Sequence, residues 1–284
     1  MEYLADLHTH TTASDGQYTP TELVRLAKQR GIQVLAVTDH DTIDGVDEAQ
    51  RAGDALGLPV IRGVELSAPE HHSFHIRGYG FRDGDTERAA LCEKLRAGRD
   101  DRKYKIVNYL REKGVNIDLA EVEELAGGEV IARPHFAQIL VKHGYVSTNR
   151  EAFDRYLDTE EFRKRVKRFK ADARTCVEAI KSAGGKVSLA HPYQMGLPDD
   201  ELEDLVARLK DWGLDAIECY YPKYTPEQQA FYLRLAEKYK LHRTGGSDFH
   251  GEKVKPDVEL ARWPLELEWL IDTLPRASTA GTFI

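Results

Sequence analysis

The sequence predicts an α/β fold built on a mainly parallel sheet, open or closed into a barrel, with a helical stretch inserted near its middle. Three observations point to it. Short apolar runs alternate with helical patterns from Tyr3 to Phe81 and again from Lys186 onward. Between them, from about Asp85 to Gly184, the pattern is helical only. Finally, nearly every unusual histidine, aspartate or glutamate falls at the end of an apolar run, where loops gather in parallel sheets and sites form.

The elements follow in order. Tyr3 to His8 reads as a strand. Thr19-Pro20-Thr21-Glu22 is a capping box with proline at the first helical position, opening a helix that ends near Gly31. Val34 to Thr38 is a second strand, ending in Asp39-His40. A helix from Val46 to Leu56 is stopped by Gly57 and Pro59. Val60 to Leu66 and Ser73 to Phe81 are the third and fourth strands. After the helical stretch come a strand at Lys186–His191, a helix at Asp199–Trp212, a strand at Ala216–Tyr220 and a helix at Pro226–Tyr239. A short strand, His242–Gly246, leads into Gly246-Ser247-Asp248. The expected division is a barrel from residues 1–94 and 171–284, with residues 95–170 as a small helical domain inserted over the active site.

Composition narrows the class. The 284 residues are 41% hydrophobic and 31% charged, the balance of a soluble globular protein. No apolar run approaches the roughly 18 residues of a membrane span, and Met1 to Asp6 has no signal-peptide character. Cys92, Cys176 and Cys219 are odd in number and widely spaced, which suits buried thiols in a reducing cytoplasm. The net charge of −8 argues against a general nucleic-acid coat. Its distribution is uneven: Cys92 to Lys170 holds 18 basic and 14 acidic residues, the remainder 22 and 34. An acidic frame that holds cations around a basic middle that meets an anion has this signature.

The strand ends carry the chemistry. Period-two alternation points Asp6, His8 and His10 the same way. Asp15 follows in the next loop. The second strand ends in Thr38-Asp39-His40-Asp41, the third holds Gly63-Val64-Glu65, and the fourth carries His75. Later strands end in His191-Pro192 and Ser247-Asp248-Phe249-His250. Buried imidazoles and carboxylates left unpaired would cost several kcal/mol each, and shared cations satisfy them together. His71, His72, His143 and His242 read as ordinary loop or solvated residues.

These motifs, DxHxH, TDHD, GxE, HP and GSDxH, resemble the signature of the PHP (polymerase and histidinol phosphatase) superfamily and span most of the chain outside the helical stretch. The resemblance implies a distorted seven-stranded (β/α) barrel with two or three divalent metals at its C-terminal face. Carried over by position, one metal takes His8, His10, Glu65 and Asp248, a second Glu65, His75 and His191, and a third Asp15, His40 and His250. Manganese is the expected metal because the superfamily often uses it; imidazole–carboxylate ligands also suit iron or zinc. Asp15 departs from the histidinol-phosphatase branch, which has histidine there, so a histidinol-phosphate-type small-molecule phosphatase is the alternative reading.

Ile131-Ala132-Arg133-Pro134-His135 resembles the R-P-H motif of stand-alone phosphoesterases of the TrpH/YciV type, and Gly213 to Glu218 a strand entry of that group. The resemblance implies hydrolysis of nucleotide phosphates, of 3′,5′-bisphosphonucleosides such as pAp, or of short RNA from its 5′ end. Two metals about 3.5–4 Å apart can share one hydroxide and grip phosphoryl oxygens. Glu65 is the expected bridge and Asp248 the orienter of the attacking water. Arg133 and His135, with His191, would hold the phosphate. The basic run Phe162–Lys170, with Phe162, Val166 and Phe169 on one helical face, reads as a cationic rim, and Tyr220, Tyr221 and Tyr224 as a stacking surface for a base. A non-catalytic metal-binding accessory module and an amidohydrolase-type enzyme are the competing classes. No membrane partner and no obligate protein partner are expected.

Overall fold

The structure, a computed structural model, describes residues 2–82, 86–126 and 131–273, with the side chains of 86–89 and 271–273 left aside. The change of pattern at Gly84–Asp85 lies outside the described residues. Strand β1 (Glu2–Asp6) leads to α1 (Pro20–Gln29), where the capping box forms as expected: Glu22 N–H donates to Thr19 Oγ1 (3.3 Å) and Thr19 N–H to Glu22 Oε2 (2.9 Å). Then come β2 (Val34–Val37), α2 (Val46–Leu56), β3 (Val60–Ser67) and β4 (His75–Tyr79). Five helices follow: α3 (Thr86–Glu112), α4 (Leu119–Ala126), α5 (Arg133–Lys142), α6 (Asn149–Ala152) and α7 (Glu160–Arg165). The α/β alternation resumes with α8 (Ala173–Ser182), β5 (Lys186–Leu189), α9 (Asp199–Trp212), β6 (Ala216–Tyr220), α10 (Pro226–Lys238), β7 (His242–Gly245) and β8 (Trp263–Glu266).

The strands form one sheet in the order β7-β6-β5-β4-β3-β2-β1-β8. β1–β2, β2–β3, β5–β6 and β6–β7 are parallel, whereas β3–β4, β4–β5 and β1–β8 are antiparallel. Two features go beyond the sequence expectation. An eighth strand joins the expected seven; it has four residues and contains Pro264, a weak strand signal. β4 runs against its neighbours, which places Ser67 at the end of β3 opposite His75 at the start of β4. His75 therefore reaches the same end of the barrel as the C-termini of the parallel strands.

Closure comes from the continuation of β1. Leu7 N–H donates to Gly245 O (3.0 Å), Asp248 N–H to His8 O (2.8 Å) and His10 N–H to Phe249 O (3.0 Å). The start of β1 pairs with β8 and its continuation with the chain after β7, giving a nearly closed barrel. Gly246 permits this approach, since a Cβ there would lie 2.2 Å from His8 Cβ. Gly63 plays the same part between β3 and β2, where a Cβ would lie 2.5 Å from Val37 O.

Helices α1 and α2 bury Leu23, Val24 and Ala49 against Leu35, Val37 and Val60, while α8–α10 cover β4–β6. Helices α3–α7 build their own apolar cluster from Ile106, Leu110, Val122, Phe136, Leu140 and Phe162. α3 joins the two: Leu91 and Leu95 belong to the barrel cluster, Ile106 and Leu110 to the helical one. No helix among the described residues is long and apolar enough to cross a membrane. The three cysteines are buried free thiols.

Asp41 ties the helical segment to the barrel. Its Oδ2 lies 2.7 Å from Arg99 Nε and 3.0 Å from Arg168, and its Oδ1 accepts from Ser67 N–H at 2.9 Å. Burial alone would raise this carboxyl, but Arg99 and Arg168 outweigh it and hold it well below the usual carboxylate range. A depressed carboxyl contributes stability above its unfolded pKa of about 4 and loses that contribution as pH falls through its folded value. Asp41→Asn is therefore expected to lower stability by about 1.5–3 kcal/mol at neutral pH, the worth of hydrogen bonds to a charged group. In urea titrations the gap between wild type and variant should narrow as pH drops below about 4; a pH-independent gap would contradict this account.

Candidate metal centre

Nine side chains meet at the barrel end where the parallel strands terminate: His8, His10, Asp15, His40, Glu65, His75, His191, Asp248 and His250. They are the nine expected from sequence. Glu65, fully buried, stands at their centre. Its Oε1 lies 3.1 Å from His8 Nε2, 3.2 Å from His75 Nδ1 and 3.0 Å from His191 Nε2. Its Oε2 lies 2.9 Å from His40 Nδ1 and 3.4 Å from His10 Nε2. Asp248 Oδ1 is 3.6 Å from His8, 3.3 Å from His10 and 3.4 Å from His250. Asp15 faces His250 (3.3 Å), His40 (3.9 Å) and His10 (4.0 Å).

The backbone is bent to make this convergence. His191, Asp248 and Asp41 all have positive φ, at 24°, 58° and 58°. Non-glycine residues are uncommon there, and such strain persists where surrounding contacts impose it. Two carboxylates of the same motifs serve the scaffold instead. Asp6 accepts from Ser247 N–H (2.9 Å) and Oγ–H (2.6 Å), holding the Gly246-Ser247-Asp248 turn. Asp39 accepts from Thr11 N–H (2.7 Å) and Ser14 Oγ–H (2.5 Å), holding the loop before Asp15. The shared orientation of Asp6 with His8 and His10 thus ends in a different role.

The electrostatics call for cations. Burial raises Glu65, Asp15 and Asp248, yet neighbouring imidazoles, and Lys255 for Asp248, outweigh it and hold all three well below the usual range. Burial, with the crowding of His250 and His40, keeps His10 well below its ordinary value. Burial likewise pushes His75 down to about 3 against the pull of Glu65. His8 goes the other way: burial works against its charge, but Glu65 and Glu218 raise it to about 9. Neutral imidazoles and ionised carboxylates are the metal-binding forms. His8 Nε2, both ring nitrogens of His10, His40 Nδ1, His191 Nδ1 and Glu65 Oε2 are buried without a hydrogen-bond partner. Unpartnered ring nitrogens and a carboxylate oxygen of this kind fit divalent cations, each neutral ring offering its one lone-pair nitrogen. Four groupings are close enough to hold an ion: His10–Asp15–His40–His250, His8–Glu65–His191, His8–His10–Asp248 and His40–Glu65–His75.

Residues that the sequence reading did not assign to the cage support it from below. Glu218, fully buried on β6, lies 3.3 Å from His8 Nδ1 and accepts the His191 N–H at 2.7 Å. It is itself held by Arg77 at 2.8 Å, a buried ion pair in the barrel interior. Tyr79 Oη–H donates to Leu7 O at 2.8 Å beside it. A glutamate and an arginine inside apolar strands were the available signal, since such charges are buried only when paired. Lys255 (2.7 Å) and Tyr221 (2.9 Å) both donate to Asp248 Oδ2.

Other expectations meet a different geometry. Tyr221 is buried on Asp248, Tyr224 donates to Glu218 O (3.1 Å), and Tyr220 stacks on Trp263 with ring centroids 5.7 Å apart. These rings are committed to packing and hydrogen bonds, not presented as a stacking surface. The basic run is not one helix: α7 stops at Arg165, and the chain then extends so that Arg168 and Lys170 reach Ser67 Oγ (2.9 Å) and Ala68 O (3.1 Å). Phe162 and Val166 are buried, whereas Phe169 is 49% exposed. Arg133 lines the cavity over the cage but donates to Asp158 Oδ1 at 2.6 Å. His135 is buried, with Nδ1 accepting the Ala132 N–H at 3.2 Å, and feels the charges of Asp15 and His250.

A nearly closed α/β barrel with nine imidazole and carboxylate groups at one end is the architecture of a divalent-metal hydrolase. The chain belongs to the PHP domain family, whose model matches residues 6–178. It is 39% identical to a 5′-3′ exoribonuclease of Haemophilus influenzae over 246 residues, 86% of this chain and 89% of that protein. It is 33% identical to a phosphoribosyl 1,2-cyclic phosphate 1,2-diphosphodiesterase of Eggerthella lenta (88% and 95% covered). It is 32% identical to a 3′,5′-nucleoside bisphosphate phosphatase of Chromobacterium violaceum (86% of each). Among solved structures, a Chromobacterium violaceum protein described as an amidohydrolase superposes with a TM-score of 0.88 at 30% identity, covering 97% of this chain and 99% of that one. A Bifidobacterium adolescentis structure assigned as a metal-dependent phosphoesterase gives 0.81 at 31%, covering 95% and 93%.

Proposed function

We propose that this protein is a metal-dependent phosphoesterase that hydrolyses phosphate esters of nucleotides, 3′,5′-bisphosphonucleosides among them, or the 5′ ends of short RNA. One observation carries the reading: a single cavity of about 780 Å³ has the carboxylate–imidazole cage at one end and arginines and lysines along its wall. Such a space suits a nucleotide-sized anion. A phosphoryl group needs an in-line nucleophile and neutralised oxygens, and little else.

In the cage His8, His10, Glu65 and Asp248 would hold one ion, Glu65, His75 and His191 a second, and Asp15, His40 and His250 a third. The ions, manganese being the choice here, would lower the pKa of water and neutralise phosphoryl oxygens. Glu65, whose two oxygens both face imidazoles, would be the ligand common to the first two groupings. Asp248, fixed by Lys255 and Tyr221 through Oδ2, keeps Oδ1 turned into the cage to orient water. His191, which lines the cavity, would also meet the phosphate. Arg133 would leave Asp158 to fork onto a phosphate, and His135 would give its Nε2 to a phosphate or leaving oxygen. Residues 95–170 act as the helical unit over the site, which their separate apolar cluster supports.

The arginine wall favours a phosphate over the neutral amide of an amidohydrolase substrate. The filled ligand positions favour catalysis over a non-catalytic accessory module. Asp15, in place of a histidine, disfavours a histidinol-phosphate-type phosphatase. The test is an activity screen of protein stripped with EDTA and reloaded with manganese. Its substrates are pAp, 5′-AMP, histidinol phosphate, a ribose 1,2-cyclic phosphate, a 5′-phosphorylated short RNA and, as the competing class, an uncharged amide. Phosphate or mononucleotide release from pAp or RNA, absent after stripping and restored by manganese, is expected. Turnover of an uncharged amide in preference to every phosphoester would overturn the proposal.

A further inference from the structure

We infer that Arg99, reaching from α3, is a positioning residue for the metal ligand His40, so that docking of the helical segment and cation binding at the Asp15–His40–His250 corner of the cage favour each other. This requires the cage to bind cations, as proposed above, and is independent of which ester is cleaved. Other ligands are steadied from within the barrel. Asp6 holds the turn before Asp248, Asp39 the loop before Asp15, and Glu218 both His8 and the His191 N–H. His40 stands beyond the end of β2, which closes at Val37. Its side chain is 12% exposed, against 0% for His8 and His10. The cations that grip its loop come from the helical segment.

The grip falls on the next residue. Asp41 shares a peptide plane with His40 and sits at φ 58°, where a non-glycine residue is strained. Its N–H donates to Glu65 O (2.9 Å), and Glu65 N–H donates to Asp39 O (3.0 Å), which lays His40 beside Glu65. Its buried carboxylate takes Arg99 Nε at 2.7 Å and Arg168 at 3.0 Å through one oxygen. Without Arg99 that carboxylate would lie buried with too little opposing charge, and turning toward water would relieve it and carry His40 along. Arg96, one turn earlier on α3, pairs Asp44 at 2.7 Å, but the two side chains are 42% and 46% exposed. Exposed pairs contribute little, so the buried Arg99–Asp41 contact is the one that acts on His40.

On the cage side, His40 brings Nδ1 to 2.9 Å from Glu65 Oε2 and Nε2 to 3.9 Å from Asp15. That Nδ1 is buried without a hydrogen-bond partner. A cation held by His40, Asp15 and His250 would fix the loop from the cage side, as Arg99 fixes it from the helical side. Two interactions that favour one arrangement of a loop strengthen each other by the same factor.

The test reads manganese content, since Arg99 also lines the cavity and turnover would mix two effects. Protein stripped with EDTA is titrated with manganese, and bound metal is counted per chain. Losing a group that orients a ligand weakens metal binding about 10- to 100-fold, and Arg99→Met should weaken one manganese site by that factor and leave the rest. Arg99→Lys, which keeps the charge and loses the Nε contact, should fall between, and it carries the comparison if Arg99→Met does not fold. Arg96→Met, which cuts the exposed pair between the same two elements, should bind as wild type does. Added to His40→Ala, Arg99→Met should cost no further manganese. In hydrogen exchange, manganese should slow the amides of α3 in wild type and slow them less in His40→Ala. Unchanged binding in the Arg99 variants, equal losses in Arg96→Met and Arg99→Met, additive losses with His40→Ala, or equal slowing of α3 would each overturn the inference. Wild type that bound no manganese, iron or zinc would instead remove the metal centre itself, and the inference with it.

Discussion

Glu65→Gln is expected to abolish hydrolysis and to empty much of the metal centre. Glu65 touches five imidazoles through two oxygens, at 2.9–3.4 Å. Glutamine matches its shape but removes the negative charge and aims an N–H₂ at atoms that need a cation. Metal centres supply several kcal/mol of transition-state stabilisation, and each 1.4 kcal/mol is tenfold in rate. Activity should therefore fall on the order of 10³-fold or more. Elemental analysis of variant protein reloaded with manganese should show fewer ions per chain than wild type. Full activity with unchanged metal content would remove Glu65 from the centre of the chemistry.

Arg77→Met is expected to cause the largest loss of stability. Arg77 is fully buried, 2.8 Å from Glu218, and also donates to Leu7 O and Thr244 Oγ1 at 3.3 Å each. Its removal leaves the Glu218 carboxylate buried without its ion partner, at a cost of about 3–5 kcal/mol. Breaking one member of a buried pair is far worse than replacing both. Accordingly, Arg77→Met with Glu218→Leu should recover much of the melting temperature that Arg77→Met loses. The double variant should still be impaired in catalysis about 10- to 100-fold, because the carboxylate that orients His8 is gone. Calorimetry and kinetics on wild type and the two variants separate the effects. Equal melting temperatures for wild type and Arg77→Met would contradict the role given to the pair.

Much of the centre was legible in the sequence because most of its donors sit in or just beyond a strand, with Asp15 in the loop that follows the first. A strand alternates faces, so His8 and His10 share a direction once β1 exists, and Glu65 follows from Gly63, whose missing side chain lets β2 and β3 approach. His75 was harder. In an all-parallel sheet the start of β4 would lie at the opposite end from the C-termini of its neighbours; only antiparallel pairing with β3 and β5 brings it to the cage. Likewise the tyrosines near β6 carried an aromatic signal without direction. Their hydroxyls proved committed to Asp248 and to the Glu218 carbonyl. The basic run suggested one amphipathic helix, but Arg168 and Lys170 gain more from barrel acceptors than from continuing α7.

The sequence by itself determined which donor atoms the protein owns and that they collect at one end of a strand–helix array, because strand ends and turn glycines are local properties. Only the tertiary structure decided the reversal of β4, the Arg77–Glu218 pair beneath His8, and the pairing of Arg99 and Arg168 on Asp41 and of Arg133 and Arg163 on Asp158. Those features depend on which groups far apart in the chain come within a few ångströms of one another. Coulomb interactions and strand pairing act across that space, and no local pattern encodes them.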